Sequence, residues 1–227
     1  MRPAKPVKVP GAVQNVSSSP AGRRGPGRPK AASDAAQRAA LVAGAYRLFL
    51  HTGYGGTTMD AVAAECRMSK RTLYRFFPGK ADLFAAVVDA HRQSMLALPG
   101  DYAHLPLDAA LEAIFRVDLT EQEDHARRAL LRLVLVEGPL FPELHQILEH
   151  AGADPSRAEL AVWLAAQASA GRLVVEDATA TARILMDMMF GADLPKADGE
   201  PQKPDTAARR THIRRCVRLF LNGTLPR

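Results

Sequence analysis

The chain has 227 residues, of which 47% are hydrophobic and 24% are charged. This length and composition exclude a chain that is disordered throughout, and they leave room for one large domain or two modest ones. No run of about 18 uncharged apolar residues occurs, so no membrane span is expected. The two cysteines, Cys66 and Cys216, lie far apart and indicate neither a disulfide framework nor a zinc site.

The net charge of +6 is distributed unevenly along the chain. Residues 1–80 hold 14 Lys and Arg against 3 Asp and Glu, a balance of +11. Residues 81–227 hold 16 against 21, a balance of −5. A basic N-terminal third on a mildly acidic remainder is typical of a nucleic-acid-binding module joined to a second domain.

The first 32 residues contain no acidic side chain and six of the 16 prolines. Such a segment buries too little apolar surface to offset the entropy lost on ordering, so it is predicted to be a disordered basic tail. It has no apolar run of the kind found in secretory signals, and a cytoplasmic protein is therefore expected.

Every segment after residue 33 has helical periodicity, and none alternates convincingly as a strand would. The sequence therefore predicts an all-α fold of about nine helices, with a three-helix N-terminal head and a C-terminal helical bundle. The predicted helical segments are 34–51, 59–66, 70–77, 80–98, 107–117, 126–136, 142–150, 155–170, 177–190 and 206–222.

Two short helices separated by a tight turn match a helix-turn-helix over about residues 58–77. In the second of them Leu73, Phe76 and Phe77 fall on one face and are predicted to point inward. The opposite face carries basic and hydroxyl side chains, which suit the major groove of DNA.

Seven residues of this region are predicted to contact DNA. Arg71 and Arg75 are the predicted base readers because a guanidinium can bind guanine at two atoms. Thr72 can touch a thymine methyl group, and Thr58 begins a helix whose backbone N–H groups can face a phosphate. Lys70, Tyr74 and Lys80 are better placed to contact the DNA phosphates. The full set is Thr58, Lys70, Arg71, Thr72, Tyr74, Arg75 and Lys80.

This region resembles the DNA-binding domain of the TetR family. Residues 58–63 read TMDAVA and residues 68–84 read MSKRTLYRFFPGKADLF, and Gly53-Tyr54 also matches the family's exit from helix one. One departure lies in the turn, where the family usually has a small residue followed by glycine and this chain has Cys66-Arg67. Either Arg67 adopts the turn conformation despite its Cβ, or the turn differs slightly from that of the family.

The resemblance implies a homodimer of all-helical subunits that binds a palindromic double-stranded operator and is released by a small apolar ligand. It assigns residues 33–95 to DNA binding and 96–227 to ligand binding and dimerisation, and residues 131–144 are similar to an AcrR-like effector domain. The implied dimer interface comprises Leu185, Met186, Met189, Ile213, Val217 and Phe220. Candidates for the ligand pocket, with plain core as the alternative, are Met95, Phe115 and Trp163.

Residues 23–30 read RRGPGRPK and partly resemble an AT-hook, in which an extended arginine lies in the narrow minor groove of A·T-rich DNA. The alternative is a solubilising leader that touches DNA without sequence preference. The predicted minor-groove contacts are Arg23, Arg24, Arg28 and Lys30.

No nucleophile elbow or paired catalytic motif occurs, so neither an enzyme nor a cofactor is expected. His125 with Glu121 and His145 with Glu149 lack the matched Glu-x-x-His pairs of a metal site in a helical bundle. The arginines at 209–218 are interpreted as an outer, solvated helix face. The rival to a transcriptional repressor is a helical-bundle enzyme or ligand carrier with an incidental basic head, which would not bind DNA sequence-specifically.

Overall fold

The computed structural model describes residues 33–191 and 205–225. In these ranges the chain is helical, without strands, which confirms the all-α prediction. The helices are α1 (Asp34–Gly56), α2 (Met59–Glu65), α3 (Lys70–Phe76), α4 (Lys80–Met95), α5 (Leu107–Ile114), α6 (Glu121–Glu137), α7 (Glu143–Ile147), α8 (Asp154–Ser169), α9 (Ala178–Phe190) and α10 (Thr206–Thr224). Among them no helix is both long and apolar enough to cross a membrane.

Several helix boundaries differ from the sequence prediction, and two of the differences are informative. Helix α6 begins five residues before residue 126 because Thr120 and Glu123 form a capping box, in which each side chain accepts the other's backbone N–H. A π-helical segment, Leu148–Ala153, joins α7 to α8, so the predicted break between residues 150 and 155 is wrong. Pro155 is tolerated because the first turn of α8 does not require its missing N–H.

The described residues form two hydrophobic cores. One lies under the N-terminal helices and includes Leu41, Phe49, Leu73 and Phe84, together with Val134 of α6. The other lies between α5, α8, α9 and α10. The core of the head therefore extends into α6 and α7, which belong to the C-terminal half of the sequence.

Candidate nucleic-acid interface and effector cavity

Helices α2 and α3 form a compact helix-turn-helix whose two starts are both capped. The Thr58 hydroxyl accepts the Ala61 N–H at 3.1 Å, and the Ser69 hydroxyl accepts the Thr72 N–H at 3.1 Å. Between the helices Arg67 has a φ of 52°, so it occupies the left-handed conformation that the turn requires. The predicted turn therefore forms without glycine at residue 67.

Helix α3 is fixed to the head by its inward face. Leu73 and the following Phe77 are buried in the core of the head, as predicted. Phe76, also predicted to point inward, is half-buried: it packs against the same core, and the Arg75 guanidinium lies 4.5 Å from its ring centroid. The inward face thus anchors α3, next to α2, in the core of the head.

The outward face of α3 presents Arg71 and Tyr74. Both side chains are exposed, Tyr74 by 48%. Within residues 33–191 and 205–225 neither makes a hydrogen bond or an ion pair. They are therefore available to a ligand that approaches this face.

Two other basic side chains of α3 are bound to acidic neighbours. The Lys70 ammonium lies 2.7 Å from Asp60, whose hydrogen bond and charge raise the pKa of Lys70. The Arg75 guanidinium lies 2.8 Å from Asp34, and it also donates to Gln37 at 3.2 Å. These pairs are exposed, and exposed ion pairs are worth only about 0–1 kcal/mol, so a phosphate can compete for them.

Lys80 occupies a different environment from the one predicted. Its ammonium donates to the Tyr54 carbonyl at 2.8 Å and lies 4.4 Å from the centroid of the Tyr54 ring. The side chain is half-buried, so its main contact in the structure links α4 to the end of α1. The predicted tail contacts, Arg23, Arg24, Arg28 and Lys30, lie outside the described residues.

A cavity of about 520 Å³ lies between α4 and helices of the C-terminal half of the chain. Its wall is mainly apolar and is built by α4, α6, α7, the π-helical segment, the start of α8 and the end of α9. The apolar side chains of the wall include Val88, Met95, Leu130, Leu131, Met186 and Phe190. His91 and His145 add imidazole groups to the same wall.

Of the three predicted pocket residues, Met95 lines this cavity. Phe115 and Trp163 pack instead within the core between α5, α8, α9 and α10. Their aromatic rings are buried against neighbouring helices, so these two residues have the alternative, plain-core role.

The residues predicted to form the dimer interface also lie in that core. Five of them are buried within a single chain and Phe220 is half-buried. The apolar stripe on α9 and α10 thus faces the protein's own interior, where it is not accessible to a second copy. The large apolar residues exposed on these helices are Ile184 and Leu219.

One contact was not predicted from the sequence: it joins the N-terminal head to the C-terminal helical bundle, here called the body. Glu137 at the end of α6 accepts hydrogen bonds from the backbone N–H groups of Tyr54 and Gly55, at 2.9 and 2.7 Å. The available signal is the glycine-rich run at 53–56, of which only Gly53-Tyr54 was noted, as a match to the family's exit from helix one. Its partner is more than 80 residues away, and no local pattern could identify it.

Two capped short helices with a tight turn, joined to further helices that enclose an apolar cavity, are the features of a helix-turn-helix regulator. Residues 41–87 match the family model described as bacterial regulatory proteins, tetR family. Residues 109–223, about half of the chain, match the C-terminal domain of AefR-like transcriptional repressors. The chain therefore belongs to the TetR family, whose members are transcriptional regulators and not enzymes.

Individual relatives agree with this assignment. The chain is 38% identical over 119 residues to an HTH-type transcriptional regulator of Mycobacterium bovis, Mb1581, an alignment covering 52% of this chain and 56% of the relative. It is 34% identical over 112 residues to the DNA-binding transcriptional repressor TetR of Mycobacteroides abscessus, covering 49% and 52%. The chain thus spans about half the length of the curated relatives it matches.

Solved structures share the fold. The flavonoid-responsive regulator FrrA is 26% identical, with a TM-score of 0.56 and coverage of 84% of this chain and 98% of that one. A TetR transcriptional regulator from Agrobacterium tumefaciens is 21% identical, with a TM-score of 0.64 and coverage of 83% and 94%. The latter similarity concerns the fold alone.

Proposed function

We propose that this protein is a transcriptional repressor that binds a palindromic operator as a homodimer and releases it when a small, largely apolar effector fills the cavity. The observation that carries the DNA-binding part is the outward face of α3. Arg71 and Tyr74 are exposed there, on a helix whose opposite face is held in place by Leu73 and Phe77. Side chains that read bases need this combination of free donors and a rigid support.

Phosphate contacts would come from the neighbouring basic residues. Lys70 and Arg75 can exchange their weak surface partners, Asp60 and Asp34, for DNA phosphates. The basic tail, residues 1–32, would add attraction to DNA and contacts in the minor groove. Thr58 and Thr72 support this arrangement mainly as part of the helix caps.

The cavity supports the effector-responsive part of the proposal. Its volume of about 520 Å³ falls in the range of about 300–1,000 Å³ typical of small-molecule sites. The apolar wall, with Phe190 and two methionines, suits an aromatic or otherwise apolar molecule. The flavonoid-responsive relative supports an effector of this kind, and the M. abscessus repressor supports repression as the mode of action.

The homodimer would form through the outer faces of α9 and α10, which pack against each other. Ile184 on α9 is 66% exposed and Leu219 on α10 is 61% exposed. Exposed large apolar side chains on neighbouring helices are typical of a surface that a partner covers. A second copy of the chain would supply the same two helices, and a symmetric interface brings like patches together.

Replacing Arg71 with alanine tests the DNA-binding proposal. The full chain first selects its preferred duplex from a random-sequence pool, and its affinity for that duplex and for a scrambled one is measured by fluorescence anisotropy. We expect Arg71→Ala to lower the preference for the selected duplex by about 1–3 kcal/mol, because a bidentate base contact is lost.

Arg132→Ala is the matched control, since it removes the same charge from an exposed position on α6. It should leave the preference between the two duplexes unchanged. Failure of the unmodified protein to select any sequence would refute the proposed function, and equal losses on both duplexes in Arg71→Ala would exclude base reading by this residue.

Leu219→Glu tests the dimer surface. A carboxylate buried at an apolar symmetric interface is strongly unfavourable, so we expect this variant to sediment at half the mass of the unmodified protein at micromolar concentration. It should also bind the selected palindrome at least about tenfold more weakly, because the two heads are no longer linked. The control is Leu140→Glu, at a leucine that is 77% exposed elsewhere, and an equal effect of both changes would contradict the assignment.

A further inference from the structure

The end of α1 is held by a carboxylate from the body. At Gly53 the backbone leaves the helix with φ 77° and ψ 170°, and the next two N–H groups point toward α6. Tyr54 donates to Glu137 Oε1 at 2.9 Å and Gly55 donates to Oε2 at 2.7 Å. Each oxygen of one carboxylate thus accepts one N–H, a charge-assisted pair of bonds that fixes direction as well as distance.

Tyr54, which donates the first of these two hydrogen bonds, has further contacts on several sides. The Tyr54 ring is buried, and the edge of the Phe141 ring lies 5.3 Å away between centroids. Burial, followed by the charge of Glu143 and its hydrogen bond with the hydroxyl, raises the pKa of Tyr54 to about 12, so the phenol stays neutral and donates. With Lys80 on its carbonyl, Tyr54 connects α1 to α4, α6 and α7.

The same helix that carries Glu137 also forms a wall of the cavity. Ala126, Leu130, Leu131 and Leu135 of α6 line the cavity, and Glu137 follows two residues after the last of them. An α-helix of 17 residues transmits a displacement along its axis, because its backbone hydrogen bonds keep the rise per residue fixed. A shift of α6 by a molecule in the cavity must therefore be passed to Tyr54 and Gly55 or break their bonds.

We propose that Glu137 is a positioning residue that ties the angle of the helix-turn-helix head directly to α6. This inference rests on the proposed function, because it assigns the route by which the cavity affects DNA binding. The contact runs from α6 to the end of α1, and it reaches the head without passing through α4. The head then has one preferred angle while the carboxylate binds both N–H groups, and it samples several angles when it does not.

Glu137→Gln is the informative variant. Glutamine keeps the size of the side chain and one acceptor oxygen, but it places an NH₂ donor opposite a backbone N–H donor. Glu121→Gln is the matched control, because it makes the same charge change on the same helix at an exposed position in the first turn. Thermal unfolding of both variants establishes that they are folded before any other comparison.

The first readout is amide hydrogen exchange at Tyr54 and Gly55, measured by NMR without DNA. We expect exchange at these two amides to accelerate at least about tenfold in Glu137→Gln and to stay unchanged in Glu121→Gln. Unchanged exchange in Glu137→Gln would overturn the proposal whatever the protein does to DNA.

The second readout is the same amide exchange, measured after the cavity has been partly filled by a larger side chain. Leu131→Trp takes the place of a bound effector. Ala126→Leu is a milder alternative if the tryptophan variant does not fold. Filling the cavity should change the rate of amide exchange at Tyr54 and Gly55 when Glu137 is present. It should not change that rate in the Glu137→Gln variant. Equal changes in both backgrounds would show that the coupling bypasses Glu137.

The third readout separates positioning from general stability. Glu137→Gln should bind the selected duplex about tenfold more weakly and leave binding to the scrambled duplex unchanged, because only sequence-specific binding needs a fixed angle between head and body. Equal losses on both duplexes would indicate a merely structural role. If the unmodified protein selects no duplex, the proposed function fails, and the two exchange experiments still decide the role of Glu137.

Discussion

Asp124→Asn is expected to lower the free energy of unfolding by about 3–5 kcal/mol, the cost of removing one partner from a buried ion pair. Asp124 is completely buried near the start of α6 and is surrounded by three guanidinium groups. Arg127 and Arg209 approach its Oδ1 atom at 3.1 and 3.4 Å, and Arg128 approaches Oδ2 at 2.8 Å. The amide of asparagine carries no charge, whereas all three guanidinium groups keep theirs.

The position of the cluster explains why the loss should reach the whole body. Arg209 belongs to α10 and also donates to the carbonyls of Phe115 and Arg116, at 2.8 and 3.0 Å. Asp124 therefore links α6 to α10 and to the end of α5. Removal of its charge weakens contacts between three helices at once, and the effect should appear as a lower denaturation midpoint with an unchanged slope.

Urea denaturation followed by circular dichroism measures this effect. The control is Asp118→Asn, because the Asp118 side chain is exposed and lies 3.8 Å from Arg214 in a surface ion pair worth no more than about 1 kcal/mol. A loss below about 1 kcal/mol in Asp124→Asn would mean that desolvation of the carboxylate costs about as much free energy as its ion pairs return.

This cluster also shows where interpretation from the sequence alone stops. The arginines at 209–218 were interpreted as a solvated face, because charged residues are mostly exposed. The structure confirms this for Arg214, Arg215 and Arg218, but Arg209 is buried, and Arg210 is half-buried and donates to the carbonyls of Val117 and Leu119. Its partner is 85 positions earlier in the chain, and local periodicity contains no information about which of several arginines will meet a distant carboxylate.

The head was more predictable than the body for a related reason. Its caps and its turn depend on neighbours within a few residues, over which capping rules apply, and the spacing of Leu73 and Phe77 is enough to predict that they point inward. The stripe of Ile213 and Val217 on α10 was equally visible in the sequence. An apolar stripe predicts burial but not whether its partner is the same chain or a second copy, and here the same chain covers it.

The second large effect is expected at the joint between head and body. Gly53→Ala should lower the free energy of unfolding by about 3 kcal/mol, since a non-glycine residue in a glycine-only region costs about 1–3 kcal/mol and the Glu137 bonds are disturbed as well. At Gly53 φ is 77° and ψ is 170°, and a Cβ there would overlap Oε1 of Glu137. The side chain would thus strain the backbone and displace the carboxylate at the same time.

These two contributions can be separated with a second glycine. Gly171 also has a positive φ, of 69°, but no atom of another residue lies within 4 Å of a Cβ built on it. Gly171→Ala should therefore cost only the conformational part, about 1–2 kcal/mol. In a Glu137→Ala background the overlap at residue 53 disappears, so Gly53→Ala should cost less there than in the unmodified protein, because only the backbone strain at residue 53 remains. If Gly53→Ala costs the same with and without the Glu137 carboxylate, the two residues are not coupled, and the glycine serves only the turn at the end of α1.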